Sequence, residues 1–171
     1  MEGYDVSIET LSTCGFLDIR GGADVRQACS EALGIVLPSA ANTLVSDGND
    51  CSAYCVSSDH WLLQVADECQ QDVLHSLEQS SEQLSHSFVD VSDMYVRIQL
   101  SGSESREVLA QGVSIDIHPR VFPPGSTART GLAKTTAQLH YVNESQGFIM
   151  IVYRSYSRYV LDWLALAACK S

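Results

Sequence analysis

The chain has 171 residues, 21 acidic against 10 basic side chains, a formal charge of −11 and a 45% hydrophobic composition. A chain of this size buries about 68 to 70% of its unfolded surface, enough for a core without disulfides or a structural metal, and fibrous, collagenous and disordered classes are excluded. Its longest apolar runs, such as residues 148–152, are far shorter than the ~20 residues a membrane helix needs, and the opening Met1-Glu2-Gly3-Tyr4-Asp5 has neither a basic nor an apolar leader, so a cytoplasmic location is expected.

In chain order, residues 6–11 and 16–20 read as two strands, the second ended by Gly21-Gly22. Asp24 is placed to cap a short helix with Val25, Ala28, Ala32 and Leu33 at helical spacing, Gly34 to stop it and Pro38 to prevent its resuming. Residues 43–45 and 53–56 flank the turn formers Asp47-Gly48-Asn49-Asp50, a hairpin signal. Residues 61–65 form a short strand, and residues 67–79 an acidic amphipathic helix with Val73, Leu74 and Leu77 inward. The Ser- and Gln-rich stretch 78–87 reads as a loop. Residues 88–91 and 95–100 are strands expected to pair as neighbours.

Ser101 and Glu104 have the spacing of a capping box, opening a helix through Val108, Leu109 and Ala110 that Gly112 ends. Residues 115–125 hold Pro119, Pro123 and Pro124 and cannot be regular helix or central strand. Strands follow at 128–132, 136–142 and 148–153, with a turn at 143–147. Tyr156, Tyr159, Val160, Trp163, Leu164 and Ala167 then mark one face of a helix ending at Lys170. The succession predicts an α+β fold, antiparallel sheets with helices packed outside them. It fits one domain over 1–171, or two subdomains of about 1–85 and 86–171.

Familiar chemistry is not found in the pattern. No Gly-x-Gly-x-x-Gly turn, phosphate loop or nucleophile elbow occurs. Cys51 and Cys55 lie on a strand-like run, where four residues span about 13 Å, too far for a disulfide or one metal. The compartment argues for six reduced thiols. Ser58-Asp59-His60 reads as a polar turn, His118 as a loop histidine, and Asp90 and Asp93 as turn caps. No residue is assigned to catalysis, a cofactor or a metal.

Charge is uneven: residues 1–96 carry 16 acids and 2 bases, residues 97–171 carry 5 acids and 8 bases. Neither half is basic enough for nucleic acid. Eight of the ten bases are arginine, which suits interface pairing. A partner surface is therefore expected on the Pro-rich loop and its flanks, with Arg120, Phe122 and Arg129 as contacts and Tyr156 and Arg158 as secondary ones.

Several motifs carry a resemblance as an ordered set: Leu17-Asp18-Ile19-Arg20-Gly21, Leu37-Pro38, Trp61-Leu62-Leu63, Asp90-Val91-Ser92-Asp93, Val108-Leu109-Ala110, Asp116-Ile117-His118-Pro119, Phe122-Pro123-Pro124-Gly125 and Arg129-Thr130, closing on Arg154-Ser155-Tyr156 and Trp163-Leu164. Together they resemble the gamma subunits of heterotetrameric sarcosine oxidase, and the chain is also similar to a reduced aminomethyltransferase (glycine-cleavage T-protein) fold. Ser58-Asp59-His60 and Ser101-Gly102-Ser103 depart from the family's usual residues. The resemblance implies a subunit without catalytic residues, in an oxidoreductase acting on CH–NH groups. Alpha, beta and delta partners would demethylate sarcosine to glycine, pass the methyl carbon to tetrahydrofolate, and hold FAD, FMN, NAD, tetrahydrofolate and zinc. The same subunit in a complex for another N-methyl amino acid, or a stand-alone folate-binding protein, are the alternatives.

Overall fold

The computed structural model describes residues 3–48 and 51–169; Asn49 and Asp50 of the expected turn and the expected helix end at Lys170 lie outside the described residues. Strand β1 (Ser7–Thr10) is followed by β2 (Gly15–Gly21), α1 (Ala23–Leu33), β3 (Thr43–Ser46), β4 (Ser52–Ser57), β5 (His60–Val65), α2 (Gln70–Ser80) and β6 (His86–Asp90). Then come β7 (Tyr95–Ser101), α3 (Ser105–Ala110), β8 (Thr127–Leu132), β9 (Thr135–Asn143), β10 (Gly147–Tyr153) and α4 (Ser157–Ala167). The fold is α+β with two five-stranded antiparallel sheets, ordered β3-β4-β5-β2-β6 and β1-β7-β10-β9-β8. No described helix is long and apolar enough to cross a membrane.

Each sheet belongs to its own compact unit. Residues Thr13–Asp93 form one, and the residues up to Ser12 and from Met94 form the other. In the first, α1 and α2 cover one face of the sheet over a core that includes Leu17, Ile19, Trp61, Leu63 and Phe88. Fully burying each such side chain is worth about 1.5 to 3 kcal/mol. Trp61 is completely buried, and its indole N–H donates to the Pro38 carbonyl at 2.7 Å, so the apolar ring leaves no polar atom unsatisfied.

Several local expectations here need adjustment. The N-cap of α1 is Gly22, and Asp24 sits inside the first turn accepting from the Val25 amide at 2.9 Å. The buried stripe of α1 is Val25 and Cys29 with Leu33 beside them, while Ala32 faces outward. Helix α2 begins at Gln70 because Glu68, in the left-handed region at φ 66°, turns the chain first. It runs to Ser80, and β6 begins at His86, which shortens the expected loop at both ends.

The expected pairing of the strands around Phe88 and Ile98 does not occur. β6 bonds to β2, with Leu17 opposite Asp90, whereas β7 lies between β1 and β10. Burial decides this: Phe88 belongs to the core of the first unit, and Ile98 and Leu100 to that of the second. The strands are adjacent in sequence but serve different cores.

In the second unit β1 pairs with β7, Ser7 opposite Ser101 and Thr10 opposite Ile98. The expected capping box is absent: Ser101 ends β7, and the α3 N-cap is Glu104 with no side-chain cap among the described residues. Glu104 instead accepts from the Asp5 amide at 2.7 Å, and the Ser103 hydroxyl donates to the Asp5 carboxylate at 2.6 Å. Between them Gly102 has φ 112°, and a Cβ there would lie 2.3 Å from the Asp5 carbonyl oxygen. Only glycine fits this approach.

Helix α4 follows a single 3-10 turn at Arg154–Tyr156 and buries Val160, Leu164 and Ala167. Trp163 is half-buried, and Tyr159, expected inside, is 37% exposed, its hydroxyl accepting from the Lys134 amide at 3.3 Å. A phenol that reaches a backbone amide at the surface keeps its polar end wet.

The Trp163 ring lies against Gly112, where a Cβ would come within 2.3 Å of Cζ2. Gly112→Ala should therefore destabilise by about 1 to 3 kcal/mol through overpacking. Urea unfolding should show that loss and its partial recovery in a Trp163→Leu background; equal losses in both backgrounds would contradict the contact.

Two histidines give stability opposite pH dependences. Burial pushes His140 down to about 4, so the fold holds it neutral; its contribution is complete above the ordinary 6.5 and is lost as pH falls toward 4. His86 is raised, mainly by its hydrogen bond to the Glu78 carboxylate at 2.9 Å; its contribution is complete below 6.5 and fades as pH rises through the raised value. Unfolding free energies across this range should lose their acid-side slope in His140→Gln and their neutral-side slope in Glu78→Gln.

Candidate functional site

The Pro-rich segment is irregular, as its prolines require, yet firmly pinned. Asp116 Oδ1 accepts from the His118 amide at 2.8 Å, and the His118 carbonyl accepts from the Val121 and Phe122 amides at 2.9 Å each. The Gly125 amide donates to the Tyr141 carbonyl and the Tyr141 amide to the Ser126 carbonyl, tying the segment to β9. Ile117 and Phe122 drive into the core of the second unit. Phe122 is 5% exposed, so the ring expected at a partner contact packs against its own core; an apolar ring on a tethered loop gains more from that core than from water.

The other expected contacts are scattered over this unit. Arg120 is exposed on the loop beside Val121, which is 60% exposed. Arg129 is half-buried in β8 and donates from Nη2 to the Tyr153 hydroxyl at 3.1 Å, and Tyr153 stacks on Tyr95 at 5.1 Å. Burial, then the Tyr153 hydroxyl, pushes the Tyr95 phenol up to about 12. Tyr156 is exposed, and Arg158 pairs with Asp162 at 3.0 Å, one helical turn on. Arg129 is thus committed within the fold, while Arg120 and Tyr156 remain presented.

The most organised feature lies behind the loop, around Arg106 in the first turn of α3. Its guanidinium carbon stands 4.4 Å from the Tyr141 ring centre and 5.1 Å from that of Phe148, and Nη1 donates to the Ile117 carbonyl. Two aromatic faces and a carbonyl fix the cation in place. It borders a cavity of about 680 Å³ lined also by Ser105, Glu107, Pro119, Tyr141 and Glu144. Composition and motif do not single out Arg106; the signal for it is its position three residues before Leu109, which puts it toward the buried side of α3.

Side chains with catalytic potential are engaged in holding turns and strands. His118 Nδ1 accepts from the Arg120 amide at 3.2 Å. Asp90 caps a turn, accepting from the Ser92 amide and hydroxyl and from Gln71. Asp59 accepts from the Ser57 hydroxyl at 2.6 Å, which holds its carboxyl below the usual range. His60 bonds Asp18 at 2.7 Å, and Asp18 also pairs with Arg20 at 2.9 Å, bracing β5 against β2. The six cysteines are free, and burial raises Cys29 and Cys51 to about 11, leaving them protonated at neutral pH. Among the described residues no group of three metal-ligating side chains converges.

Comparison with known proteins places this architecture. The sarcosine oxidase subunit gamma of Corynebacterium sp. (strain U-96) is 26% identical over 143 residues, covering 84% of this chain and 68% of that protein. A chain of the heterotetrameric sarcosine oxidase from Corynebacterium sp. U-96, solved in complex with pyrrole 2-carboxylate, superposes with a TM-score of 0.89 at 22% identity, over 98% of this chain and 86% of that one. The glycine cleavage system aminomethyltransferase T from Bartonella henselae shares the fold with a TM-score of 0.67 at 12% identity, over 97% of this chain and 49% of that one. The model of the "Sarcosine oxidase, gamma subunit family" matches residues 20–170, nearly the whole length, and the chain belongs to that family.

Proposed function

We propose that this chain is the non-catalytic gamma subunit of a heterotetramer of the sarcosine oxidase type, assembled in the cytoplasm with alpha, beta and delta subunits. The complex oxidatively demethylates sarcosine to glycine and transfers the methyl carbon to tetrahydrofolate. FAD, FMN, NAD, tetrahydrofolate and zinc belong to the partner subunits. The observation that carries this reading is the family match over residues 20–170. Its non-catalytic part is supported by the engagement of His118, Asp90 and Asp59 in turns and of Asp18 and His60 in strand bracing.

For the docking surface, Arg120 and Val121 on the loop and Tyr156 and Arg158 at the start of α4 combine exposed arginine with exposed apolar surface, the composition that anchors interfaces. Arg129 supports that surface from within the fold through Tyr153.

Co-expression with the three larger-complex partners tests the assembly. The chain should co-purify with them, whereas alone it should show no flavin absorbance, no tetrahydrofolate binding and no sarcosine turnover. Activity of the isolated chain would overturn the subunit reading in favour of a stand-alone folate-binding protein, and turnover of a different N-methyl amino acid by the complex would reassign the substrate. Arg120→Glu with Val121→Asp should melt like the parent yet weaken assembly about tenfold, roughly 1.4 kcal/mol. Tyr156→Ala with Arg158→Glu should act similarly; full assembly in both would move the docking surface elsewhere.

A further inference from the structure

We propose that the Arg106 cavity binds a small zwitterionic carboxylate of the amino-acid class. The proposal concerns this chain by itself: the lining residues all belong to one of its units, and the test below is made without partner subunits. Three groups set up the carboxylate end. Arg106 is held by the Tyr141 and Phe148 rings and the Ile117 carbonyl, and among the described residues no carboxylate pairs with it. Ser105 and Tyr141 line the same cavity, are each only 6% exposed, and have hydroxyls without a hydrogen-bond partner among the described residues. Neither hydroxyl is sealed from solvent, so both remain open to the oxygens of a ligand in the cavity. A guanidinium fork with two hydroxyl donors matches the two oxygens of a carboxylate.

The opposite charge is supplied from the same walls. Glu107 and Glu144 line the cavity and are themselves exposed, so they oppose a multiply charged anion such as phosphate and favour a ligand that also carries an ammonium. Pro119 offers an apolar wall to a side chain. At about 680 Å³ the cavity falls within the usual span of small-molecule sites, roughly 300 to 1,000 Å³.

The test is titration of the isotopically labelled full chain, followed by amide NMR shifts, with L-leucine, acetate and inorganic phosphate as separate probes. Leucine should produce saturable shifts at Ser105, Arg106 and Tyr141 with a dissociation constant on the order of 1 mM, and acetate should bind more weakly. Tyr141→Phe with Ser105→Ala keeps the ring packing and should weaken leucine about tenfold or more. Glu144→Gln, at an exposed turn, should weaken leucine while leaving acetate binding no weaker, and slightly tighter as one opposing charge is removed. The same spectra report whether each variant is folded. The proposal is overturned by absence of saturable leucine binding, by phosphate binding more tightly than leucine, or by leucine affinity unchanged in Glu144→Gln.

Discussion

The pairing of β1 with β7 is the constraint on which the other features rest. It joins residues about ninety positions apart, Ser7 opposite Ser101, before Thr13–Asp93 can be treated as a unit of its own. Closing a loop of that length costs only slowly more entropy than closing a short one, so a folded insertion between two strands is thermodynamically tolerable. What makes it stable is that the inserted residues carry a complete sheet and core of their own around Trp61.

The same pairing organises the end of the second unit where Arg106 sits. β1 places Asp5 beside the turn after β7, where its carbonyl meets Gly102 and its carboxylate and amide take Ser103 and Glu104. That clasp sets where α3 begins, and the first turn of α3 carries Arg106 to the rings of Tyr141 and Phe148, with Ser105 beside it on the cavity wall. Polar side chains elsewhere are largely spent on such internal fastening.

Much of this was legible in the sequence because periodicity reports burial. The alternation of β7 and the apolar stripe of α4 gave element type and approximate limits, and the α+β class followed from their order. Pairing was less legible. Hairpin logic joins β6 to β7, and nothing local reveals that Phe88 and Ile98 enter different cores. The capping box failed because Glu104 found a better donor in Asp5, remote in sequence. Phe122 was misplaced for a related reason: a loop rich in proline looks presented, but its backbone bonds to β9 draw the ring inward. Arg106 escaped notice because a charged residue beside Val108 and Leu109 reads as a solvated flank until the rings of β9 and β10 are placed over it.

Hydrogen exchange at single-amide resolution tests the β1 clasp most directly. The Leu11 amide donates to the Arg97 carbonyl at 3.0 Å and the Tyr4 amide to the Ala168 carbonyl at 2.8 Å, bracketing β1 at both ends. Both amides should exchange slowly, in the class of β7, and both should lose that protection in Gly102→Ala, where the added methyl displaces Asp5. Exchange of Leu11 and Tyr4 at the rate of an unstructured chain in the parent protein would contradict the account.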